Sequence, residues 1–222
     1  MKCNLLTILL VIVTVPLFAQ DTPIQSSKWF ISRSGDLAMV SFSNVSRNNI
    51  LLNNVPRFTM LLNSGTYINY AINDHATFFS GITGKNMGVI YDDNDSVRFK
   101  RRVIMAGIPL GVKFGNLQKG TYIYLGGEAG FALQYKEKRF LNGEKVEKKN
   151  TWFGRQTPDF IPSFYVGFVV QNMGLQLHYF PKNFFNPEFE ENGLRPFAGM
   201  ESRLFFISFR VDFNPPRRNF LF

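Results

Sequence analysis

Apolar residues occupy every second position in several long stretches of this chain, and this alternation limits the fold more than any other feature. In the stretch LFFISFRVDF (204–213), Phe205, Ile207 and Phe209 alternate with Ser208 and Arg210. A period of two is typical of a β-strand with one apolar face and one polar face. The apolar face would be buried in a soluble protein, whereas it would contact lipid in a membrane barrel. This stretch alone leaves both alternatives open.

The N-terminus predicts export from the cytoplasm. Lys2 precedes an apolar run over residues 5–18, and Ala19 offers a small residue for cleavage. This is the pattern of a secretory signal peptide, which we predict over residues 1–19, followed by an N-terminal segment over residues 20–35. Cys3 is the single cysteine of the chain, so the mature protein is expected to have no disulfide and no cysteine-ligated metal.

Composition narrows the class of protein further. The net charge of +9 suits either nucleic acid or an anionic membrane surface. Because we expect export, we predict no nucleic-acid partner. The aromatic content of 16%, with 25 phenylalanines, favours strands. After the N-terminal run, no segment approaches the roughly 18–20 continuous apolar residues of a membrane helix, so strands would have to cross any membrane.

Eight alternating segments follow, joined by connections that are short and long in turn. The segments are residues 36–43, 57–72, 75–91, 98–114, 121–136, 159–170, 175–180 and 196–213. The short connections are residues 73–74, 116–119 and 171–173, and the long ones are residues 44–56, 92–97, 137–158 and 182–195. This order is typical of outer-membrane barrels. We therefore predict an all-β fold, an eight-stranded antiparallel up-and-down transmembrane β-barrel over residues 36–213, with a C-terminal tail over residues 214–222.

Four stretches together resemble a known family. They are IPLGVKF (108–114), TYIYLGGEAGFALQY (121–135), GLQLHYF (174–180) and LFFISFRVDF (204–213). In this arrangement the chain is similar to the PorT-like outer-membrane β-barrel proteins of Bacteroidota, roughly from Arg57 to Phe213. The resemblance implies an eight-stranded barrel in the cell outer membrane. A last strand ending in Phe213 also resembles the signal read by the barrel-assembly machinery, which we expect to be a partner.

The polar faces of the segments predict the contents of the barrel. An eight-stranded barrel is just wide enough for side chains to fill its interior. Charged groups there must pair, because a buried unpaired charge is costly. We therefore predict a structural polar network in the lumen, formed by Lys113, Glu128, Gln134, Arg210 and Asp212.

Basic residues concentrate at two of the long connections, on the side predicted to face outward from the cell. Guanidinium and ammonium groups there suit the phosphates of lipopolysaccharide. The alternative is a plain solvated loop. The candidate lipopolysaccharide contacts are Arg98, Lys100, Arg101, Arg102, Lys138 and Arg139.

The sequence shows no convincing catalytic constellation. His75 lies beside a short turn, and His178 is expected in the lumen with no serine at a suitable spacing. The run DDND (92–95) lacks the glycine and the distal glutamate of a calcium-binding EF-hand loop. We therefore predict no enzymatic activity, no catalytic residues, no cofactor and no metal site.

The leading hypothesis is a non-enzymatic outer-membrane barrel with a structural or interaction role at the cell envelope, related to secretion or assembly. Its expected partners are outer-membrane lipid, lipopolysaccharide, the barrel-assembly machinery and other envelope proteins. One alternative is a soluble exported barrel that binds an apolar ligand, as lipocalins do. A lipid-modifying barrel enzyme is the other alternative.

Overall fold

The computed structural model describes residues 28–117 and 119–213, without the side chains of residues 61 and 62. The predicted signal peptide and the predicted C-terminal tail lie outside the described residues. Within the described part, the regular secondary structure consists of eleven strands. The strands are β1 (Trp29–Arg47), β2 (Ile50–Leu51), β3 (Asn53–Val55), β4 (Arg57–Ala71), β5 (Ala76–Asn94), β6 (Val97–Asn116), β7 (Thr121–Leu141), β8 (Glu144–Trp152), β9 (Phe160–Val170), β10 (Met173–Phe180) and β11 (Met200–Asp212). Among these residues no helix is long and apolar enough to cross a membrane.

Eight of the strands close into an antiparallel ring in the order β1–β4–β5–β6–β7–β9–β10–β11, and β11 pairs back onto β1. Each ring strand is therefore hydrogen-bonded to the ring strands before and after it in the chain. The three remaining strands extend the wall: β2 pairs with β1, β3 with β5, and β8 with the last third of β7. The prediction of an all-β, eight-stranded up-and-down barrel is confirmed.

The two ends of the barrel differ in their connections. Short connections from β4 to β5, from β6 to β7 and from β9 to β10 lie at one end, which we call the turn end. The connections at 48–56, 95–96, 142–159 and 181–199 lie at the other end, which we call the loop end. Long and short connections therefore alternate, with one exception: residues 95–96 form a two-residue turn.

Several strands are longer than the sequence predicted. β1 begins at Trp29, ahead of the predicted start at Asp36, because residues 29–36 pair with β4. The predicted loop at residues 137–158 is mostly a hairpin, in which β7 continues to Leu141 and β8 returns from Glu144. Both β5 and β6 likewise extend to the turn at 95–96. The hairpin lacks apolar alternation because both of its faces lie beyond the apolar surface described next, so neither needs to be apolar.

The outward-facing side chains of the ring form a belt of exposed apolar residues. On β6 the belt runs from Ile104 to Phe114, and Ile108 and Leu110 within it are each 54% exposed. These ten residue steps, at about 3.4 Å each, give about 34 Å along the strand and about 24 Å of height at a tilt of about 45°. The apolar band of an outer-membrane barrel is about 25 Å tall. Other members of the belt are Ile68, Ile82, Ile123, Leu125, Phe164, Val166, Phe168, Leu175, Leu177, Phe205, Ile207 and Phe209.

The interior of the barrel is filled by two clusters of buried side chains. The cluster toward the loop end is apolar, with Met87, Val103, Met105 and Phe206 among its members. The cluster toward the turn end is rich in tyrosine and includes Tyr67, Phe79, Tyr122, Tyr124 and Tyr165. Charged groups lie between and around these clusters, and they form the candidate site.

Candidate functional site: the filled lumen and the basic outer face

A buried ion pair occupies the middle of the lumen. Lys85 Nζ on β5 lies 2.6 Å from Glu128 Oε2 on β7, and the two side chains are 7% and 1% exposed. The strand between them, β6, carries Gly107 at this height. A Cβ atom on Gly107 would lie 2.4 Å from Glu128 Oε1, so the glycine provides the space that the carboxylate occupies.

His178 lies beside this pair, and the hydrogen-bond partners of its two ring nitrogens indicate which nitrogen carries the proton. The Gln176 Oε1 atom accepts a hydrogen bond from the Tyr124 hydroxyl at 2.8 Å, which turns the Gln176 Nε2 group toward His178 Nδ1 at 3.0 Å. Nδ1 is then the acceptor, and Nε2 carries the proton and donates to Ser163 Oγ at 2.7 Å.

This contact corrects the expectation that no serine stands at a suitable spacing for His178. Ser163 and His178 are near each other because β9 and β10 are neighbours in the ring. A histidine that donates its proton to the serine is in the wrong tautomer to act as its general base. Both side chains are almost completely buried, at 1% and 0% exposure. The arrangement is that of a packed polar core.

Two further charged groups lie toward the turn end. Arg210 donates to Asp212 Oδ1 at 3.1 Å, and its guanidinium lies 4.7 Å from the centre of the Tyr124 ring. Lys113 Nζ donates to Asn69 Oδ1 at 2.9 Å. Lys113 also lies 5.0 Å from the centre of the Phe79 ring. Aromatic faces therefore supply part of the electrostatic stabilisation that carboxylates would otherwise provide.

Four of the five predicted lumen residues face inward, and three of them, Glu128, Arg210 and Asp212, are joined in one hydrogen-bonded chain through Lys85, His178 and Gln176. Glu128 pairs with Lys85, Arg210 pairs with Asp212, and Lys113 contacts an amide and aromatic rings. The sequence analysis missed Lys85, the partner of Glu128. Lys85, Met87, Val89 and Tyr91 occupy every second position of β5 and therefore share its inward face. This spacing was the available signal.

Gln134 is the exception, and its predicted place in the lumen is wrong. A bulge in β7 pairs Ile104 with Gln134 but Met105 with Ala132, so Leu133 is an extra residue. The extra residue reverses the faces of all the side chains that follow. Gln134 consequently lies opposite Ile104 on the outer face, and Tyr135 is inside and 2% exposed.

Three phenylalanines of the 181–199 connection close the loop end. Phe184, Phe185 and Phe197 are no more than 3% exposed and belong to the apolar interior cluster. The ring of Phe185 meets Tyr91 of the wall edge-on, with 6.1 Å between the ring centres. We call these three side chains the plug.

Arg101 is part of this closed interior, which corrects its prediction as a lipopolysaccharide contact. It is 6% exposed, donates to Glu137 Oε2 at 2.7 Å and to the Tyr91 hydroxyl, and lies 4.9 Å from the Phe197 ring centre. Its neighbours Lys100 and Arg102 face outward because side chains alternate along a strand. The run of basic residues is therefore divided between the two faces of β6.

Outside the barrel, above the belt, the sheet formed by β6, β7 and β8 carries a row of cations on its outer face. Arg102 lies opposite Lys136, and Lys100 lies opposite Lys138, which is itself opposite Lys148. We call these five residues the basic face. Lys136 and Lys148 were not among the predicted contacts.

The remaining two predicted contacts differ from the basic face. Arg98 donates to Asp92 at 2.6 Å, and this hydrogen bond holds the pKa of the Asp92 carboxyl below its usual value. The pair lies beyond the belt near the turn at 95–96. Arg139 lies opposite Glu147 on the other face of the hairpin. Arg98 and Arg139 each have a carboxylate as a neighbour, so they are not part of the basic face.

Comparison with known proteins gives similarity to solved structures alone. No protein-family model matches the sequence, and no curated protein matches it. The chain is similar to Ail of Yersinia pestis, solved in complex with the heparin analogue sucrose octasulfate, with 11% identity, a TM-score of 0.39, and coverage of 84% of this chain and 99% of that one. It is also similar to Neisserial surface protein A, with 17% identity, a TM-score of 0.38, and coverage of 84% and 98%. A third is the outer membrane protein OprG from Pseudomonas aeruginosa, with 12% identity, a TM-score of 0.34, and coverage of 87% and 100%.

These TM-scores are below 0.5, so the assignment of the barrel depends on its own strands and surfaces. A closed ring satisfies the backbone hydrogen bonds that a strand edge would leave open in lipid. The belt supplies an apolar surface of the height that a bilayer requires. The chain is a transmembrane β-barrel of the outer-membrane type, and the predicted location in the outer membrane agrees with this surface.

Proposed function

We propose that this protein is a non-enzymatic barrel of the cell outer membrane with a structural or interaction role at the envelope. The observation that carries the proposal is the filled lumen. The plug closes the loop end, the Lys85–Glu128 pair crosses the middle, and tyrosines fill the turn end. Within the described residues, side chains therefore fill the interior from the loop end to the turn end.

The two alternative functions are less compatible with these side chains. A lipocalin-like barrel has an open apolar interior and a polar exterior, whereas this barrel is filled inside and apolar outside. A cavity beside Asp36, Lys85 and Arg210 has room for about one water molecule. A lipid-modifying enzyme needs an accessible nucleophile, whereas Ser163 is buried and accepts the proton of His178.

The loop end and the basic face are the surfaces available to partners. The β7–β8 hairpin projects there with most of its side chains exposed, and Lys149 of the hairpin is paired with Glu191 of the 181–199 connection. The proposed partners are lipopolysaccharide and other envelope proteins, together with the barrel-assembly machinery during insertion. Membership of the PorT-like group is also part of this proposal, supported by the four sequence stretches that resemble it.

Reconstitution into lipid vesicles tests the absence of a channel. Vesicles that contain the folded protein should retain a small entrapped dye as well as protein-free vesicles do. The triple variant Phe184→Ala/Phe185→Ala/Phe197→Ala removes the plug and provides the comparison. Steady dye leakage through the wild-type barrel would contradict the proposal.

A second assay addresses catalysis directly. The wild-type barrel should release no fatty acid from phospholipid or from lipopolysaccharide. The Ser163→Ala variant should behave identically, because Ser163 is not activated. Fatty-acid release by the wild type that is lost in Ser163→Ala would establish an enzyme and overturn the assignment.

A further inference from the structure

The charges of the hairpin and of β6 are separated by face. The five cations of the basic face lie on the outer face, and two carboxylates of the hairpin, Glu137 and Glu147, lie on the opposite face with Arg101 and Arg139 as cross-strand neighbours. Like charges directly opposite each other across a strand pair are destabilising. Two rows of directly opposite cations follow each other on the outer face. One row is Arg102–Lys136, and the other is Lys100–Lys138–Lys148.

Nothing in the described part of the chain neutralises the basic face. None of its five members forms an ion pair with a described carboxylate. Lys100 lies 4.8 Å from the centre of the Phe140 ring, which is an aromatic contact and not a counter-charge. The Nε atom of Arg102 is buried and has no hydrogen-bond partner. The basic face therefore carries positive charge that no described side chain balances, and it is able to accept an anion.

The height of the basic face above the belt indicates which anions it would meet. Ile104, Gln134 and Trp152 form one cross-strand row at the upper edge of the belt. Tryptophan is typical of the membrane–water interface. The Arg102 row is two residues further along, and the Lys100 row four residues further. At about 3.4 Å per residue and a tilt of about 45°, these rows lie about 5 Å and about 10 Å above the belt.

The Arg102 row therefore lies within the layer of lipid head groups, and the Lys100 row lies at its outer edge. The polar region on each side of a bilayer is about 5–8 Å thick, as the difference between a thickness of about 40–45 Å and a core of about 30 Å shows. Outward-facing ammonium and guanidinium groups at this height meet lipid phosphates before they meet anions in solution. Guanidinium groups bind phosphate oxygens in bidentate geometry, and ammonium groups bind them as compact charges.

From these contacts we infer that the basic face is a binding site for the phosphates of a phosphorylated glycolipid of the outer leaflet, with lipopolysaccharide as the source. The site rests on the proposed membrane location but not on the proposed interaction role. Arg102 and Lys136 form the row nearest the belt, and Lys138 lies between two cations, so these three residues form the centre of the site. Lys100 and Lys148 extend it toward the loop end.

The test compares two matched triple variants of the full-length protein, folded in detergent micelles. The site variant is Arg102→Gln/Lys136→Gln/Lys138→Gln. The control variant Lys119→Gln/Lys182→Gln/Arg195→Gln removes the same charge from exposed positions elsewhere. Binding of bisphosphorylated lipid A and of its dephosphorylated form is measured for the wild type and both variants.

The wild type and the control should bind bisphosphorylated lipid A with equal affinity, and the site variant should bind it on the order of 100-fold more weakly, at about fivefold for each cation near an anionic surface. The dephosphorylated lipid should bind all three proteins as weakly as the phosphorylated lipid binds the site variant. Equal binding by the site variant and the wild type would overturn the inference. So would equal binding of the two lipids by the wild type.

Three further measurements separate the remaining outcomes: competition by phosphate, gel mobility and cell fractionation. Excess inorganic phosphate should leave lipid binding unchanged, and full displacement would overturn the inference in favour of a site for soluble anions. Heat-modifiable gel mobility shows that both variants are folded. If the membrane location itself is wrong, the wild-type chain will be recovered in the soluble fraction. If only the site is wrong, the site variant will remain in the membrane with unchanged lipid binding.

Discussion

Lys85 and Glu128 form an ion pair with 2.6 Å between Nζ and Oε2, across the face of the intervening strand at Gly107. The pair connects β5 to β7 inside a barrel whose wall already joins both to β6. A buried pair of this kind brings little net stability compared with apolar side chains, but each charge depends on the other. The lumen is therefore sensitive to the loss of one partner.

Replacing Glu128 by Gln should destabilise the barrel strongly, because it leaves the Lys85 ammonium buried without a counter-charge. The expected loss in the free energy of unfolding is about 3–5 kcal/mol. Urea unfolding in lipid vesicles, followed by heat-modifiable gel mobility, measures it. The double variant Lys85→Met/Glu128→Leu should recover most of the loss. A Glu128→Gln barrel as stable as the wild type would show that the pair is not as buried as described.

Replacing Gly107 by Ala should also destabilise the barrel, by about 1–3 kcal/mol, because the added methyl group collides with the Glu128 carboxylate. Gly84→Ala is the control, since a Cβ atom there has nothing within 4 Å. The same unfolding assay applies to both. Equal stability of the two variants would contradict the packing described around Gly107.

The belt predicts the response to a charge in the lipid-facing surface. Leu110 lies on β6 within the belt and is 54% exposed. Leu110→Arg should cost about 2–4 kcal/mol, as expected for a cation near the bilayer midplane. Leu110→Met keeps the apolar character and should fold normally. A wild-type yield of folded Leu110→Arg in membranes would mean that this surface does not face lipid.

The difference between the two ends predicts the topology. Single cysteines at Glu144 and Glu188, which are exposed at the loop end, should react with a membrane-impermeant thiol reagent on intact cells. A cysteine at Asp74, exposed at the turn end, should react only after the outer membrane is opened. The mature chain is predicted to have no cysteine of its own, so the background is low. Labelling of Asp74→Cys with protection of Glu144→Cys would indicate the inverted orientation.

Strand number and barrel order were predictable because lipid imposes a strict rule on one face of every spanning strand. Outward positions such as Ile108 and Leu125 must be apolar, so the period of two is visible in the sequence. The regions beyond the belt follow no such rule. Residues 92–97 and 137–158 read as loops although much of each is strand, because charged side chains occur on both of their faces.

The contents of the lumen were less predictable, for two physical reasons. One extra residue at Leu133 reverses the faces of the rest of β7, which moved Gln134 outward and Tyr135 inward. Contacts across the lumen also depend on which strands become neighbours and on how loops fold back. The partners of Glu128 and His178, and the position of the phenylalanines at 184 and 185, therefore required the structure.

Separation of cell membranes after expression with the native N-terminus tests the central claim most directly. A filled barrel with an apolar belt should be found in the outer-membrane fraction, resist extraction by alkaline carbonate and dissolve only in detergent. On an unheated gel, it should migrate differently from the boiled sample. Recovery of the folded protein in the soluble periplasmic fraction would contradict the account.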